Sequence, residues 1–293
     1  MPGTVVITGA AGQLASAIQR VFDAHHRVVP LTRSDLDITA DEAVETTLGA
    51  LRPDLIVNCA SYNNVDAAEQ HPVRALEVNA FGVRTLARSA QTLGAVLVHY
   101  STDFVFDGTG IRPHTEDDLP NPQSVYAASK LLGEWFALEA PGAYVLRVES
   151  LFGAAGAPGR RSSLETIVSG IDAGNEVPVF TDRTVSPSYV YDVAAATLRL
   201  CEQLPPPGLY HCVNTGAATW LTIAQEIARL LGKPPRLRLL TLADVQLAAP
   251  RPRYCAMANA KLAAAGIEMP TWQDAVGRFL KQDSGFRIQN VRR

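Results

Sequence analysis

Tyr126 and Lys130 stand four residues apart in the stretch Tyr126-Ala-Ala-Ser-Lys130. On a helix that spacing puts both side chains on one face, one turn from each other. A lysine ammonium beside a phenol favours the phenolate and lowers the phenol's pKa from about 10. Such a tyrosine is a usable acid or base near neutral pH, able to protonate a carbonyl oxygen while hydride arrives at its carbon. Taken alone, the spacing also suits an exposed helix whose tyrosine packs and whose lysine is solvated. Upstream, Ser101-Thr102-Asp103 follows the apolar run Ala95-Val96-Leu97-Val98-His99-Tyr100. A hydroxyl at the end of such a strand can hold a substrate carbonyl beside the tyrosine, and Thr102 is the candidate; plain turn chemistry is the alternative.

These groups need a scaffold. Thr4-Val5-Val6-Ile7-Thr8 is a short β-branched run that reads as a buried strand, and Ile18, Val21 and Phe22 keep helical spacing. Between them lies Gly9-Ala10-Ala11-Gly12-Gln13-Leu14-Ala15, a glycine turn leading into a helix. Gly9 lets the chain turn tightly, and Gly12 lets backbone approach a diphosphate at the helix N-terminus, where free N–H groups and the dipole favour anions. Gly9, Gly12, Gln13 and Leu14 are therefore candidate cofactor contacts. The strand Arg27-Val28-Val29-Pro30-Leu31 runs into Thr32-Arg33 where an NAD-selective site places an acid for the ribose hydroxyls. Arg33 could pair bidentately with a 2′-phosphate, or be a solvated loop arginine. The cofactor expected is NADPH, with NADH as the alternative. Asp37 and Ile38 begin a segment placed under the adenine, and the strand Pro53-Asp54-Leu55-Ile56-Val57-Asn58 ends in the small residues Cys59, Ala60 and Ser61, at the edge where a sheet meets its ligand. Asn79, among apolar neighbours, either braces the active-site backbone or lies on a helix surface.

The bulk numbers narrow the class. The chain has 293 residues and is 47% hydrophobic, enough for one large domain or two modest ones with a sizeable core. A net charge of -3 gives no electrostatic case for nucleic-acid binding. Cys59, Cys201, Cys212 and Cys255 are scattered without a C-x-x-C, and the six histidines show no ligand spacing, so neither metal catalysis nor a disulfide framework is expected. No run approaches the roughly 18 apolar residues of a membrane span, and the N-terminus has no basic leader; a soluble cytoplasmic protein is expected. Several G-x-S-like stretches lack the strand-to-helix elbow of a serine hydrolase.

Three signatures in combination resemble the dTDP-4-dehydrorhamnose reductase family of extended short-chain dehydrogenases: Gly9 to Ala15, Ser101-Thr102-Asp103-Phe104-Val105-Phe106-Asp107-Gly108, and Tyr126 to Lys130 with Leu131-Leu132-Gly133-Glu134. Gly208-Leu209-Tyr210-His211, Trp220, Arg251-Pro252 and Pro270-Thr271-Trp272 fall in the family's order, so the similarity covers nearly the whole chain. The resemblance implies NADPH over Gly9 and Gly12, with Tyr126 protonating the C4 oxygen of a nucleoside-diphosphate 4-keto-6-deoxy sugar as hydride reaches C4. It implies Lys130 on the nicotinamide ribose, Thr102 on the ketone, and Asp103, Phe104, Ser150 and Arg251 on the sugar nucleotide. Ala15 takes the place of the usual third glycine. Ser150 stands where the family commonly carries a tryptophan against the sugar, which leaves the hexose open. Ala17 replaces a carboxylate that some members use in a metal-bridged dimer, so no such metal is expected, while a homodimer stays open.

The expected fold is α/β, a Rossmann-type doubly wound parallel sheet with a smaller, discontinuous C-terminal substrate domain. Residues 1–148 and 187–213 would bind the dinucleotide, and 149–186 and 214–293 the sugar nucleotide. The Gly- and Ala-rich loop from Gly153 to Ser163 reads as a mobile cover, with Arg160 or Arg161 near the diphosphate or merely solvated. Two other functions compete. An NAD-recycling epimerase or dehydratase is disfavoured by Leu31-Thr32-Arg33, and a dehydratase also by Phe104, which stands where it needs a carboxylate. A non-catalytic regulatory subunit of methionine adenosyltransferase type could keep the tyrosine and lysine.

Overall fold

A computed structural model describes residues 3–153 and 162–282 of the chain. In order, the chain forms β1 (Thr4–Thr8), α1 (Gln13–Phe22), β2 (Arg27–Leu31), α2 (Asp41–Leu51), β3 (Leu55–Asn58), α3 (Val65–Gln70), α4 (Pro72–Leu76), a π-helical turn (Glu77–Phe81), α5 (Gly82–Leu93), β4 (Val96–Thr102), α6 (Val125–Leu138) and β5 (Tyr144–Val148). There follow β6 (Leu151–Phe152), α7 (Ser163–Asp172), β7 (Glu176–Phe180), β8 (Thr184–Val185), β9 (Ser188–Tyr189), α8 (Val190–Gln203), β10 (Gly208–His211), β11 (Ala218–Thr219), α9 (Trp220–Leu231), β12 (Arg236–Leu240), α10 (Ala260–Ala264) and α11 (Trp272–Gln282).

Six parallel strands make the central sheet, in the order β10-β5-β4-β3-β1-β2. Their apolar runs are explained by helices on both faces. Side chains alternate between two cores. Val5 and Ile7 of β1, Leu55 and Val57 of β3, and Val98 and Tyr100 of β4 face the core shared with α1 and α8. Val6, Ile56 and Leu97 face the opposite core, with α2 and α5. Chain order reverses at β1, which has β2 on one side and β3 on the other, and a doubly wound sheet binds ligand at such a switch point. The architecture is thus the Rossmann-type α/β fold that the strand and helix pattern predicts.

A separate core forms outside this sheet. Leu164 and Ile171 of α7, Ile223 and Ile227 of α9, and Val276 and Phe279 of α11 pack together with Val177 and Val179 of β7, which pairs in parallel with β12. No described helix is long and apolar enough to cross a membrane.

The π-helical turn carries Asn79, fully buried. Its Oδ1 accepts from the Tyr62 N–H (2.8 Å) and the Ser61 hydroxyl (3.0 Å), and its Nδ2 donates to the Tyr62 carbonyl (3.0 Å) and to Ser129 Oγ (2.9 Å). Asn79 therefore braces the backbone beyond β3 against α6, the first of its two open roles. α6 comes so close that a Cβ on Gly133 would lie 2.1 Å from the Asn79 carbonyl oxygen. Overpacking of this kind costs about 1–3 kcal/mol. Gly133→Ala is expected to lower the urea midpoint by an amount worth about 2 kcal/mol or more with an unchanged slope; an unaltered midpoint would contradict the close approach.

Candidate active site

A crevice of about 680 Å³ opens beyond the carboxyl ends of the central strands. Gly12, Gln13 and Leu14 at the start of α1 line it, as do Cys59, Ala60 and Ser61 after β3. Gly9 lies behind that wall. Its φ is +67°, and a Cβ there would sit 2.6 Å from the Ala60 nitrogen, so only glycine lets the two strand ends close up. α1 has no side-chain cap and no carboxylate in its first turn. A glycine cradle at an uncapped helix start fits a dinucleotide diphosphate. Gln13 Nε2 donates to Glu165 Oε1 at 2.9 Å and so ties α1 to the first turn of α7.

The adenine-side candidates sit apart from the crevice lining. Arg33 follows β2 with its side chain 76% exposed, 3.4 Å from Asp37. Burial opposes the Asp37 charge, but the Thr39 hydroxyl and N–H and the Arg74 guanidinium hold its pKa down to about 2. Ile38 is buried in the core with α2 and α5. Arg160 and Arg161 lie outside the described residues.

Thr102, Tyr126 and Lys130 meet in the crevice wall. Thr102 closes β4 and caps the short turn Asp103–Val105: its Oγ1 accepts from the Phe104 N–H (3.3 Å) and donates to Asp103 Oδ1 (2.9 Å). Tyr126 occupies the first turn of α6, fixed by the Ser124 cap, whose Oγ accepts the Ala127 N–H at 3.2 Å. The Phe104 ring meets Tyr126 edge-on at 5.7 Å.

Beneath them runs a buried polar chain. The Ala60 N–H donates to Asn58 Oδ1 (3.1 Å), which also accepts from Thr8 Oγ1 (2.7 Å). Asn58 Nδ2 must then donate to His99 Nδ1 (3.0 Å), leaving the ring's hydrogen on Nε2, 3.5 Å from Lys130 Nζ. Lys130 Nζ donates to the Tyr100 carbonyl. Burial, then the lysine charge, push His99 well below its usual pKa, so it stays neutral. Burial brings Lys130 down to about 8, against the pull of Glu134.

The electrostatics depart from the sequence reading in one respect. Lys130 bonds to Tyr100 and faces His99, and it does not lower the Tyr126 phenol. Burial lifts that phenol, the Thr102 hydroxyl opposes the rise, and Asp103 adds to it, with a result of about 12. The partly open tyrosine therefore keeps its proton at neutral pH. The Tyr–Lys spacing fixed the shared face correctly but not which group each side chain would reach.

Asp103, Phe104, Ser150 and Arg251 all line the same crevice. Arg251 is anchored by Asp66 at 2.6 Å and lies over the Phe104 ring at 6.0 Å. Three further residues escaped sequence reasoning. Glu149 lines the crevice, and its carboxyl, the Asp103 carboxyl and the Cys255 thiol lie within 4.8 Å of one another, all buried. Arg183 donates to the Pro252 carbonyl (3.1 Å) and to Cys255 Sγ (3.5 Å). Burial raises both carboxyls, with Arg183 opposing. The only sequence signal was a carboxylate closing the apolar run Val145-Leu146-Arg147-Val148; Arg183 and Cys255 come from remote segments.

Comparison with known proteins gives a consistent match. The family model described as the RmlD substrate binding domain matches residues 3–284. A dTDP-4-dehydrorhamnose reductase from Streptomyces griseus is 36% identical over 280 residues, covering 92% of this chain and 91% of the relative. A probable dTDP-4,6-dihydroxy-2-methyloxan-3-one 4-ketoreductase from Streptomyces antibioticus is 35% identical over 278 residues, covering 92% of each. The crystal structure of dTDP-4-dehydrorhamnose reductase from Bacillus anthracis in complex with NADP superposes with a TM-score of 0.90 at 31% identity, over 96% of this chain and 100% of that one.

The neutral, buried His99 has a measurable consequence. Its folded pKa is depressed, so the stability it permits is present above the unfolded pKa of about 6.5 and is lost as pH falls below it, at about 1.4 kcal/mol per pH unit. His99→Gln should lose less stability than wild type between pH 7 and pH 5, by about 2 kcal/mol in denaturant titrations. Parallel losses would mean that His99 charges freely in the folded protein.

Proposed function

The chain belongs to the RmlD substrate binding domain family, that of the dTDP-4-dehydrorhamnose reductases, and on that premise we propose that it reduces the C4 ketone of a nucleoside-diphosphate 4-keto-6-deoxy sugar with NADPH. The observation that carries this reading is the convergence of Thr102, Tyr126 and Lys130 in one crevice with the glycine cradle of α1. Gly12, Gln13 and Leu14 hold the diphosphate over Gly9, with Cys59, Ala60 and Ser61 alongside. Arg33 meets the 2′-phosphate, near Asp37 and Ile38 on the adenine side. Asp103, Phe104, Ser150 and Arg251 hold the sugar nucleotide, and the separate core around α7, α9 and α11 supports that end.

When bound, NADPH supplies the hydride. The protein's own task is to deliver a proton to the oxygen and to orient the ketone. Tyr126 enters protonated, because burial disfavours its phenolate, and donates to the C4 oxygen. The phenolate left behind is disfavoured by the same burial and by Asp103, so it readily takes up a proton for the next cycle. Thr102 aligns the ketone, and Lys130 holds the nicotinamide ribose. Phe104, edge-on to Tyr126, limits the ring's rotation.

Tyr126→Phe removes the proton and keeps the ring. NADPH binding by fluorescence titration should persist while the reduction rate falls by about 10²–10⁴-fold, the scale of losing a general acid; undiminished turnover would take Tyr126 out of the chemistry. Arg33→Ala should weaken NADPH more than NADH, by about tenfold or more for one charge-assisted contact. Equal losses for the two cofactors would remove Arg33 from the 2′-phosphate.

A further inference from the structure

β5 delivers a carboxyl group that the reaction above leaves unused. Glu149 follows Val148 at the strand's end, lines the crevice and is 2% exposed. One oxygen is engaged: Oε2 accepts the Ser186 N–H at 2.7 Å. The other, Oε1, is buried without a hydrogen-bond partner among the described residues. Buried polar atoms in folded proteins are normally partnered, and a bare one points to a ligand that completes it.

The surroundings decide what Oε1 offers. Asp103 and the Cys255 thiol lie close to the Glu149 carboxyl, and the Arg183 guanidinium and the Tyr254 phenol are within electrostatic reach. Two buried carboxyls beside a single guanidinium do not both ionise readily, and burial favours the neutral form. A backbone N–H only donates, so Oε2 must act as an acceptor. The proton of a neutral Glu149 therefore resides on Oε1, which becomes an O–H donor as well as an acceptor. Asp103, close to this carboxyl, accepts the Thr102 hydroxyl at 2.9 Å, and Glu149 is itself among the residues that line the crevice with Thr102 and Tyr126. Ser150, the neighbouring residue, holds φ at +44°, a conformation uncommon outside glycine and frequent at functional sites.

We propose that Glu149 selects the sugar: its free carboxyl oxygen takes a ring hydroxyl of the keto-sugar, so that this enzyme requires a hydroxylated 4-keto hexose and rejects the corresponding deoxy analogue. The inference rests on the keto-sugar reductase reading and deepens it. A site built to hydrogen-bond a hydroxyl strongly rejects an analogue that lacks it, because its own polar group is then left bare, whereas an apolar pocket discriminates weakly. Relatives of nearly equal identity carry names with different keto-sugars, so overall similarity does not choose the hexose, and single wall residues such as Glu149 and Ser150 must.

The test is kcat/KM with NADPH for wild type, Glu149→Gln and Glu149→Ala on three substrates: a nucleoside-diphosphate 4-keto-6-deoxyhexose, its 2-deoxy analogue and its 3-deoxy analogue. Wild type should prefer the hydroxylated sugar over one of the analogues by about 10²-fold or more. Glu149→Ala should bring that ratio to within about threefold through loss on the hydroxylated sugar, and Glu149→Gln, which keeps a donor and an acceptor, should retain most of it. A wild-type ratio near one, or a ratio unchanged in Glu149→Ala, overturns the inference. Thermal melting and NADPH titration identify a variant that has not folded; should Glu149→Ala fail that check, Glu149→Met, apolar and of similar length, takes its place in the same comparison. A wild type that reduces none of the three sugars overturns the reductase reading and this inference with it.

Discussion

The site depends on a chain of buried hydrogen bonds that begins at a backbone N–H. The Ala60 amide can only donate, and that fixes the orientation of Asn58, which fixes the tautomer of His99, which faces Lys130. No member can turn without baring a buried polar group, at about 1–3 kcal/mol each. The chain crosses from β3 to β4, and the lysine of α6 is held by the next residue of that strand, through the Tyr100 carbonyl, so its position is set by the sheet. A cation placed this way needs no carboxylate in contact. The nearby acid Glu134 is instead engaged by Arg147 through bonds of 2.8 and 2.7 Å and by Ser101.

A second constraint acts from the other end of the crevice. The core around α7, α9 and α11 folds from segments after β5 and after β10. It brings Arg183, Ser186 and Cys255 up to Asp103 and Glu149, groups that leave the sheet at the ends of β4 and β5. Acids that would repel in isolation are held together there by burial, by one arginine and by the Ser186 amide. The two ends thus differ in character. The end at α1 is built from backbone, glycine and small side chains, and the end at β4 and β5 from titratable side chains whose charges are suppressed.

Much of this was legible in the sequence because it is local. Four β-branched or apolar runs and one glycine turn announce β1, α1, β2, β3 and β4, and the Tyr126–Lys130 spacing needs only helix geometry. Thr102 was readable because a strand end is where a sheet presents its ligand groups. What escaped is non-local. His99 looks like an ordinary strand residue until Asn58, 41 positions away, is seen to hold it. The drop in the Tyr126 pKa expected from Lys130 failed because a helical turn of separation does not dictate where a long side chain reaches, and the Tyr100 carbonyl was the nearer partner. Glu149 stood in plain view at the end of an apolar run, but its meaning depends on Ser186, Arg183 and Cys255.

The central claim is that this crevice passes a hydride to a sugar ketone beside a protonated tyrosine. The most direct measurement follows the hydrogen itself: NADPH carrying deuterium at the transferable C4 position is incubated with the protein and a nucleoside-diphosphate 4-keto-6-deoxyhexose, and the sugar product is read by mass spectrometry and proton NMR. The account predicts one deuterium per product, bound to sugar C4, with one NADP formed for each. Label at another carbon, or sugar turned over without oxidation of NADPH, would contradict it.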